Sequence, residues 1–287
     1  MLFRLLRVRK GGPGRSPRLA SGSVEGQASG SGAPRIGVLV VAYNAETTIA
    51  QVLDRIPRDF VPRIESVLVA DDASSDGTFE AGIAYQQQNS HLPLIVIKRP
   101  ENLGYGGNQK AGYQWAVEHG LDIVVLLHGD GQYAPEYLPQ MVEPLVDGRA
   151  DAVFGSRMII RGGARGGGMP LYKFVGNKIL TFTENLLVGA RLSEWHSGYR
   201  AYSVAALRDI PFERNSDDYD FDTQIIVQML HAGKHIEEIP IPTFYGDEIS
   251  YVNGTRYAKD ITRYVLRYRL WRWGVGKDPG VETARGG

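Results

Sequence analysis

The chain has 287 residues, of which 43% are hydrophobic, and its 32 basic and 32 acidic side chains give a formal net charge of +0. This length is enough for one sizeable core, and the charge balance argues against a globally basic nucleic-acid binder. The lack of cysteine excludes disulfides, thiolate metal sites and cysteine nucleophiles, and it is compatible with a reducing compartment.

Residues 1–34 form a basic tail that is rich in glycine, serine and proline, and this composition predicts disorder. Arg4, Arg7 and Arg9 interrupt any apolar segment near the start, so we do not expect a secretory signal. No stretch approaches the roughly 20 apolar residues that a membrane-spanning helix needs. We therefore expect a cytoplasmic protein that, at most, rests on a membrane surface.

Short apolar runs alternate with helical patterns between residues 35 and 254. The predicted strands lie at 36–42, 65–70, 93–98, 122–127, 151–155 and 235–241. The predicted helices lie at 46–56, 77–88, 106–119, 135–146, 171–188 and 220–232. Residues 161–168 are too rich in glycine for either element and are predicted to be a mobile loop. The alternation predicts a single α/β domain with a Rossmann-like, mostly parallel sheet flanked by helices.

A last helix is predicted at about 255–272, followed by a flexible tail that ends at residue 287. Aromatic and apolar side chains, among them Tyr264 and Tyr268, fall on one face of this helix, and basic side chains fall on another. This pattern is typical of an amphipathic helix at a membrane interface. It equally fits a domain helix whose aromatic face packs on the core.

Polar side chains follow two of the predicted strands at their carboxyl ends, where open α/β sheets bind ligands. Asp71 and Asp72 follow the second strand, and Asp130 and Gln132 follow the fourth. Positions i and i+2 of an extended loop project to the same side, so Asp130 and Gln132 are candidates to bind one Mg²⁺ or Mn²⁺ ion. Such an ion would neutralise a leaving diphosphate.

Other features near this edge indicate a nucleotide, and the Asp71–Asp72 pair is a stronger signal than Tyr43. Tyr43 can stack on a nucleobase, and the Asp71–Asp72 pair can accept hydrogen bonds from a base or a ribose. Alternatively, Asp76 caps the next helix and the neighbouring carboxylates only solvate the turn. The glycine-rich segment 102–108 fits no phosphate-loop pattern, so its glycines are interpreted as allowing close backbone approach.

Together these segments resemble family 2 glycosyltransferases of the GT-A fold, especially the dolichyl- and polyprenyl-phosphate sugar transferases. The resemblance runs from about Ile36 to the vicinity of Tyr268. The motifs that carry it are Val41–Glu46, Asp71–Thr78, Asn102–Gly104, His128–Gln132, Gly155–Arg157 and Ser197–Arg200. It implies an inverting, metal-dependent hexosyltransferase of cell-envelope glycan biosynthesis.

The resemblance also implies a role for each matching position. Asp130 and Gln132 would bind the metal, and Arg157 and Arg200 would face an acceptor phosphate. Asp130, Glu194 and Arg200 are the expected catalytic residues. The expected donor-binding residues are Tyr43, Asn44, Glu46, Asp71, Asp72, Asn102, Gly104, His128, Gly129 and Asp130.

Two positions depart from the family pattern. His128 stands where the family has the first Asp of its Asp-x-Asp signature, and it either contacts the nucleotide sugar or is an ordinary satisfied hydrogen-bond donor. Glu194 replaces an Asp, and it is a candidate general base toward an acceptor hydroxyl. It could instead orient Arg200 or a phosphate ligand, because a phosphate acceptor is already ionised and needs no strong base.

We therefore expect transfer from a UDP- or GDP-linked sugar to a polyprenyl or dolichyl phosphate at the cytoplasmic face of a membrane. One alternative is a family 2 transferase whose acceptor is a soluble or cell-surface polysaccharide. A catalytically silent nucleotide-binding protein is a second, suggested by His128. A nucleotidyltransferase is a third, although the first loop lacks the glycine-rich basic segment that such enzymes carry.

Overall fold

A computed structural model describes residues 32–243 and 253–283. At its centre is a seven-stranded sheet in the order β3-β2-β1-β4-β6-β5-β7. Four neighbouring strands, β1 to β4, are parallel, whereas β6 runs antiparallel to both β4 and β5. The strands are β1 Ile36–Ala42, β2 Ile64–Asp71, β3 Leu94–Lys98, β4 Ile123–His128, β5 Ala152–Ser156, β6 Arg200–Ser203 and β7 Ile236–Pro240. The prediction of a mostly parallel α/β sheet is confirmed.

Helices cover both faces of this sheet. Successive strand residues point to opposite faces, so one strand contributes side chains to two cores. Val38 and Val40 belong to the core beneath α1, α2 and α4, whereas Leu39 belongs to the core beneath α3, α8 and α9. The helices are α1 Ile49–Asp54, α2 Thr78–Gln88, α3 Gly104–Glu118, α4 Leu138–Val146, α5 Gly163–Gly166, α6 Leu171–Val188, α7 Val204–Arg208, α8 Phe221–His231 and α9 Gly254–Arg272. None of them, within the ranges described above, is both long and apolar enough to cross a membrane.

The sequence predicted a loop over the whole glycine-rich segment 161–168, but part of this segment is helical. It contains the single helical turn α5, preceded by Gly162 in a left-handed conformation with φ of 80°. Ala164 is buried in a small apolar cluster with Met158 and Met169. Burial of these three side chains explains why the turn forms despite the low helix propensity of glycine.

Helix α9 uses its aromatic face inside the domain. Tyr264 and Tyr268 are buried in the core beneath α3 and α8, so the structure supports the interpretation as a domain helix and not as a membrane-interface helix. After α9 the chain contacts the domain again near residues 280 and 281. Val281 is buried, and Gln228 Nε2 donates to the Gly280 carbonyl oxygen at 2.8 Å. Part of the predicted flexible C-terminal tail, residues 278–281, thus contacts the domain, and the predicted N-terminal tail lies almost wholly outside the described residues.

Gly106 allows the segment before α8 to approach the start of α3. A Cβ atom at this position would lie 2.4 Å from the Ser216 carbonyl oxygen and 2.6 Å from Phe221 Cβ. Because both atoms are held by the backbone, we expect Gly106→Ala to lower the free energy of unfolding by about 1–3 kcal/mol. Urea denaturation measures this change.

The matched control is Gly176→Ala in the interior of α6, where an added Cβ has no neighbour within 4 Å. Alanine favours the helix there, so we expect a gain of up to about 1 kcal/mol. Equal effects of the two substitutions would contradict the close approach at Gly106.

Candidate active site

Two loops at the carboxyl edge of the sheet are joined by hydrogen bonds. The Asn44 amide donates to Ser74 Oγ at 2.9 Å, and its side-chain Oδ1 accepts from the Ser75 amide at 3.1 Å. Glu46 Oε2 accepts from the Gly77 amide at 3.1 Å. Asn44 and Glu46, both predicted to bind the donor, therefore connect the β1–α1 loop to the β2–α2 loop.

The side chains of Asp71 and Asp72 point to different parts of the protein. Asp71 is fully buried, and its Oδ1 accepts hydrogen bonds from the amide and the hydroxyl of Ser74. The carboxylate of Asp72 accepts from the amides of Leu103 and Gly104 at 2.8 and 3.1 Å, at the start of α3. Burial raises the pKa of Asp72, and these two donors only partly offset that rise. Asp72 is therefore a cap of α3, which sequence reasoning did not identify.

Asn102 and Gly104 lie beside this cap. Asn102 Nδ2 donates to the Asp72 carbonyl oxygen at 3.0 Å. Gly104 has φ of +81°, and a Cβ there would lie 2.6 Å from the Asp217 carbonyl oxygen. The structure thus agrees with glycines that allow close backbone approach. The alternative role of Asp76 as a helix cap also agrees, since its Oδ1 accepts from the Thr78 amide at 3.1 Å.

The end of β4 places Asp130 and Gln132 in one turn. Asp130 Oδ1 accepts from the Gln132 amide at 3.0 Å, and both residues are half-buried. Gly129 connects this turn to the neighbouring strand β1, because its amide donates to the Val41 carbonyl oxygen at 2.8 Å. In the part of the chain that the structure describes, no group of three or more His, Asp or Glu side chains could enclose a metal ion. One carboxylate and one carboxamide nevertheless fit a cation whose remaining ligands are phosphate oxygens and water.

His128 packs among aromatic rings beside this turn. Its imidazole contacts Tyr105 and Tyr133 edge-on, with ring centroids 5.7 and 5.0 Å apart. Its Nε2 is buried and has no hydrogen-bond partner among the described residues. Burial lowers the pKa of His128, so the ring is neutral at neutral pH. The structure therefore does not support His128 as a satisfied hydrogen-bond donor through Nε2.

Glu194 is paired with Arg157. Arg157 Nε donates to Glu194 Oε1 at 3.0 Å, the Arg157 amide donates to Oε2 at 2.7 Å, and Asn177 Nδ2 donates to Oε1 at 2.8 Å. Burial opposes ionisation of Glu194, but Arg157 and these hydrogen bonds outweigh it and lower the pKa. A buried carboxylate with a lowered pKa is a weak base. Its structural role is to orient Arg157, and not Arg200 as one sequence interpretation had it.

Arg157 lies at the end of β5 and lines a cavity of about 220 Å³. Arg161 and Lys178 line the same cavity, together with the apolar side chains of Ile159 and Ile160. The sequence analysis did not assign Arg161 or Lys178 to the site. The cationic residues of segment 157–178 were the available signal, but only the fold shows that α6 returns Lys178 to this cavity.

Arg200 lies elsewhere. Its side chain is 1% exposed, and its guanidinium donates to the carbonyl oxygens of Ser197, Asp222 and Trp195 at 2.9, 3.0 and 2.9 Å. It also pairs with the Asp222 carboxylate at 3.5 Å. Arg200 is therefore enclosed within the domain and does not line the cavity of Arg157, whereas its contact with an acceptor stays a prediction.

The low pKa of Glu194 predicts a pH-dependent contribution to stability. Because the folded pKa lies below the unfolded value near 4.5, the contribution is complete above that value and disappears as pH falls through the folded pKa. Glu194→Gln leaves Arg157 without its anion, so we expect a loss of about 3 kcal/mol at neutral pH. The difference from wild type should shrink on acidification, as urea denaturation across the acid range would measure.

Glu65→Gln is the control, because Glu65 is exposed and pairs with the exposed Arg35 at 3.1 Å. We expect a change of less than about 1 kcal/mol there. A deficit of Glu194→Gln that does not vary with pH would contradict the ion-pair interpretation.

The fold and the loops at the carboxyl edge of the sheet indicate the class of protein. The chain is similar in structure to glucosyl-3-phosphoglycerate synthase from Mycobacterium tuberculosis, solved with Mn²⁺, UDP-glucose and phosphoglyceric acid. The TM-score is 0.59 at 22% identity, covering 85% of this chain and 81% of that one. The architecture is therefore that of a GT-A-type glycosyltransferase.

Residues 37–210 match the family model for glycosyl transferase family 2, and the chain belongs to this family. A dolichyl-phosphate N-acetylglucosaminyltransferase of Methanococcus voltae that uses UDP-N-acetylglucosamine is 29% identical, over 84% of this chain and 97% of that protein. The undecaprenyl-phosphate mannosyltransferase of Micrococcus luteus is 33% identical over 75% and 85%. The family and the enzyme class predicted from the motifs are confirmed.

Proposed function

We propose that this glycosyltransferase moves a hexosyl residue from a UDP- or GDP-sugar to a polyprenyl or dolichyl phosphate. The observation that carries the proposal is the cavity beside Arg157, where Arg161 and Lys178 offer cations for a phosphate and Ile159 and Ile160 offer apolar surface for a prenyl chain. The two relatives named above act on dolichyl and undecaprenyl phosphate, which supports the same acceptor class.

The donor would bind along the two joined loops. Tyr43 is 45% exposed on the β1–α1 loop, where its ring can stack on a nucleobase. Asp71 Oδ2 has no hydrogen-bond partner among the described residues and lies 3.9 Å from Lys98 Nζ, so it would be the acceptor for a base N–H when the donor binds. The proposed role of Asn44, Glu46 and Asp72 is indirect: their hydrogen bonds hold the loops that form this surface.

Asp130 and Gln132 would hold Mg²⁺ or Mn²⁺, and the Mn²⁺ in the similar synthase structure is consistent with this assignment. Such an ion, when bound, neutralises charge on the leaving diphosphate. Arg157, held by Glu194, would position the acceptor phosphate. A phosphate oxygen attacks the anomeric carbon as the bond to the diphosphate breaks on the opposite face, which inverts the configuration. This oxygen is already ionised, so the weak basicity of Glu194 is no obstacle.

The test is transfer from a panel of UDP- and GDP-sugars, with Mn²⁺, to undecaprenyl phosphate or to soluble acceptors. We expect a lipid-linked product. In Arg161→Gln/Lys178→Gln we expect the KM for the lipid phosphate to rise about tenfold, while the KM for the donor stays unchanged. Arg191→Gln, an exposed cation that does not line the cavity, is the control and should match wild type. Transfer to a soluble acceptor alone would overturn the proposal.

A further inference from the structure

The fully buried residues of helix α6 are polar, whereas many of its exposed residues are apolar. Its buried residues are Asn177, Thr181 and Glu184, all polar. Asn177 donates to Glu194, and Glu184 Oε1 accepts from Thr223 Oγ1 at 2.9 Å. The side of the helix that faces the protein therefore contains polar side chains held by specific hydrogen bonds, beside the partly buried Phe174, Leu187 and Val188 near the helix ends.

The opposite side of α6 is apolar and exposed. We call the set Tyr172, Val175, Ile179, Phe182 and Leu186 the α6 stripe; these residues are 45% to 73% exposed. Their spacing of 3, 4, 3 and 4 residues places them along one side of the helix. Single exposed apolar residues are common on proteins, but a continuous row of five is not. The α6 stripe therefore faces something other than water.

Charge indicates what that partner is. Segment 157–188 contains five cationic residues and one acid, Glu184, which is buried. Arg161, Arg165 and Lys178 are exposed around the stripe, so its surroundings are positive and complement an anionic surface. Pairing with a second copy through the same stripe would bring like charges together. A surface of anionic lipids satisfies both the apolar row and its cationic border.

We propose that the α6 stripe docks the protein on an anionic lipid bilayer. Lys178 belongs to α6 and lines the cavity of Arg157, so docking would bring that cavity to the level of the lipid headgroups. The preference for a bilayer over a protein partner rests partly on the proposed lipid-phosphate acceptor. The docking surface is therefore α6, and not α9, whose aromatic face is buried.

The experiment is co-sedimentation of the full chain with vesicles of phosphatidylcholine containing about 30% phosphatidylglycerol, and with phosphatidylcholine alone. We expect the double variant Ile179→Ser/Phe182→Ser to partition into the anionic vesicles roughly tenfold less than wild type. Its thermal transition should be the same as that of wild type. Ile95→Ser is the matched control, because Ile95 is exposed on β3 at the far edge of the sheet and should bind like wild type. Equal binding by the stripe variant, or a wild-type dimer that the variant abolishes, would overturn the proposal.

Transfer assays distinguish this failure from a failure of the proposed function. With a short, water-soluble prenyl phosphate, the stripe variant should keep the kcat of wild type, whereas transfer to a long prenyl phosphate in vesicles should fall. If wild type binds vesicles through the stripe but glycosylates neither acceptor, docking stands and the proposed function fails. If wild type glycosylates both acceptors but does not bind vesicles, the docking proposal fails alone.

Discussion

Asp130→Asn is expected to lower kcat/KM by about 10³-fold while the fold is retained. The substitution removes one negative charge at the end of β4, where the proposed cation on the donor diphosphate would bind. Asparagine keeps an oxygen that can accept from the Gln132 amide, so the turn should persist. Initial rates with Mn²⁺ and saturating acceptor measure the effect.

Asp147→Asn is the control, because Asp147 is an exposed carboxylate after α4 that pairs with Arg149 at 3.2 Å. It should retain wild-type rates. Thermal-shift titrations with UDP or GDP provide a second readout: Mn²⁺ should increase the nucleotide-induced shift in wild type and not in Asp130→Asn. Full activity of Asp130→Asn would contradict the proposed metal site at Asp130.

Arg200→Met is expected to lower the free energy of unfolding by about 3–5 kcal/mol. The substitution leaves three carbonyl oxygens without their donor, and it leaves Asp222, which is only 6% exposed, without its cation. Methionine fills similar space, so lost volume contributes little. Urea denaturation at neutral pH measures the loss, and Arg208→Met, at an exposed position, should change stability by less than about 1 kcal/mol.

This substitution also separates two roles for Arg200. A residue that only positions others should, below the melting temperature of the variant, leave the KM for the acceptor close to that of wild type. A stable Arg200→Met variant with a strongly raised acceptor KM would restore the direct acceptor contact predicted from the sequence.

The sheet could be predicted because most of its strands are apolar runs with distinct boundaries. Strand β6 was missed because Arg200–Ser203 contains no such run. It becomes a strand through pairing with β4 and β5, which lie on either side of it. Its burial is a consequence of tertiary structure, so no local pattern in the chain indicates it.

In the candidate site, too, the sequence predicted the positions of residues but not their contacts. Positions after strands predicted that Asp71, Asp72 and Asp130 lie at the carboxyl edge, but not which groups their oxygens bind. Asp72 caps a helix that begins 32 residues later, and that pairing leaves no periodic signal. Helix α6 was correctly predicted, yet an apolar row of this spacing is also what a core-facing helix shows. Only the polar partners of Asn177 and Glu184 reveal which side faces the protein.

The bonds between the first two crossover loops have a consequence for how nucleotide preference can change. Asn44 and Glu46 hold the segment Ser74–Gly77, so a substitution in one loop displaces groups in the other. The free-energy effects of paired substitutions across these loops should therefore not be additive. We therefore expect that exchanging the proposed donor between a uridine and a guanosine diphosphate sugar needs coordinated replacements in both loops, and not a single substitution at the proposed base contact Tyr43.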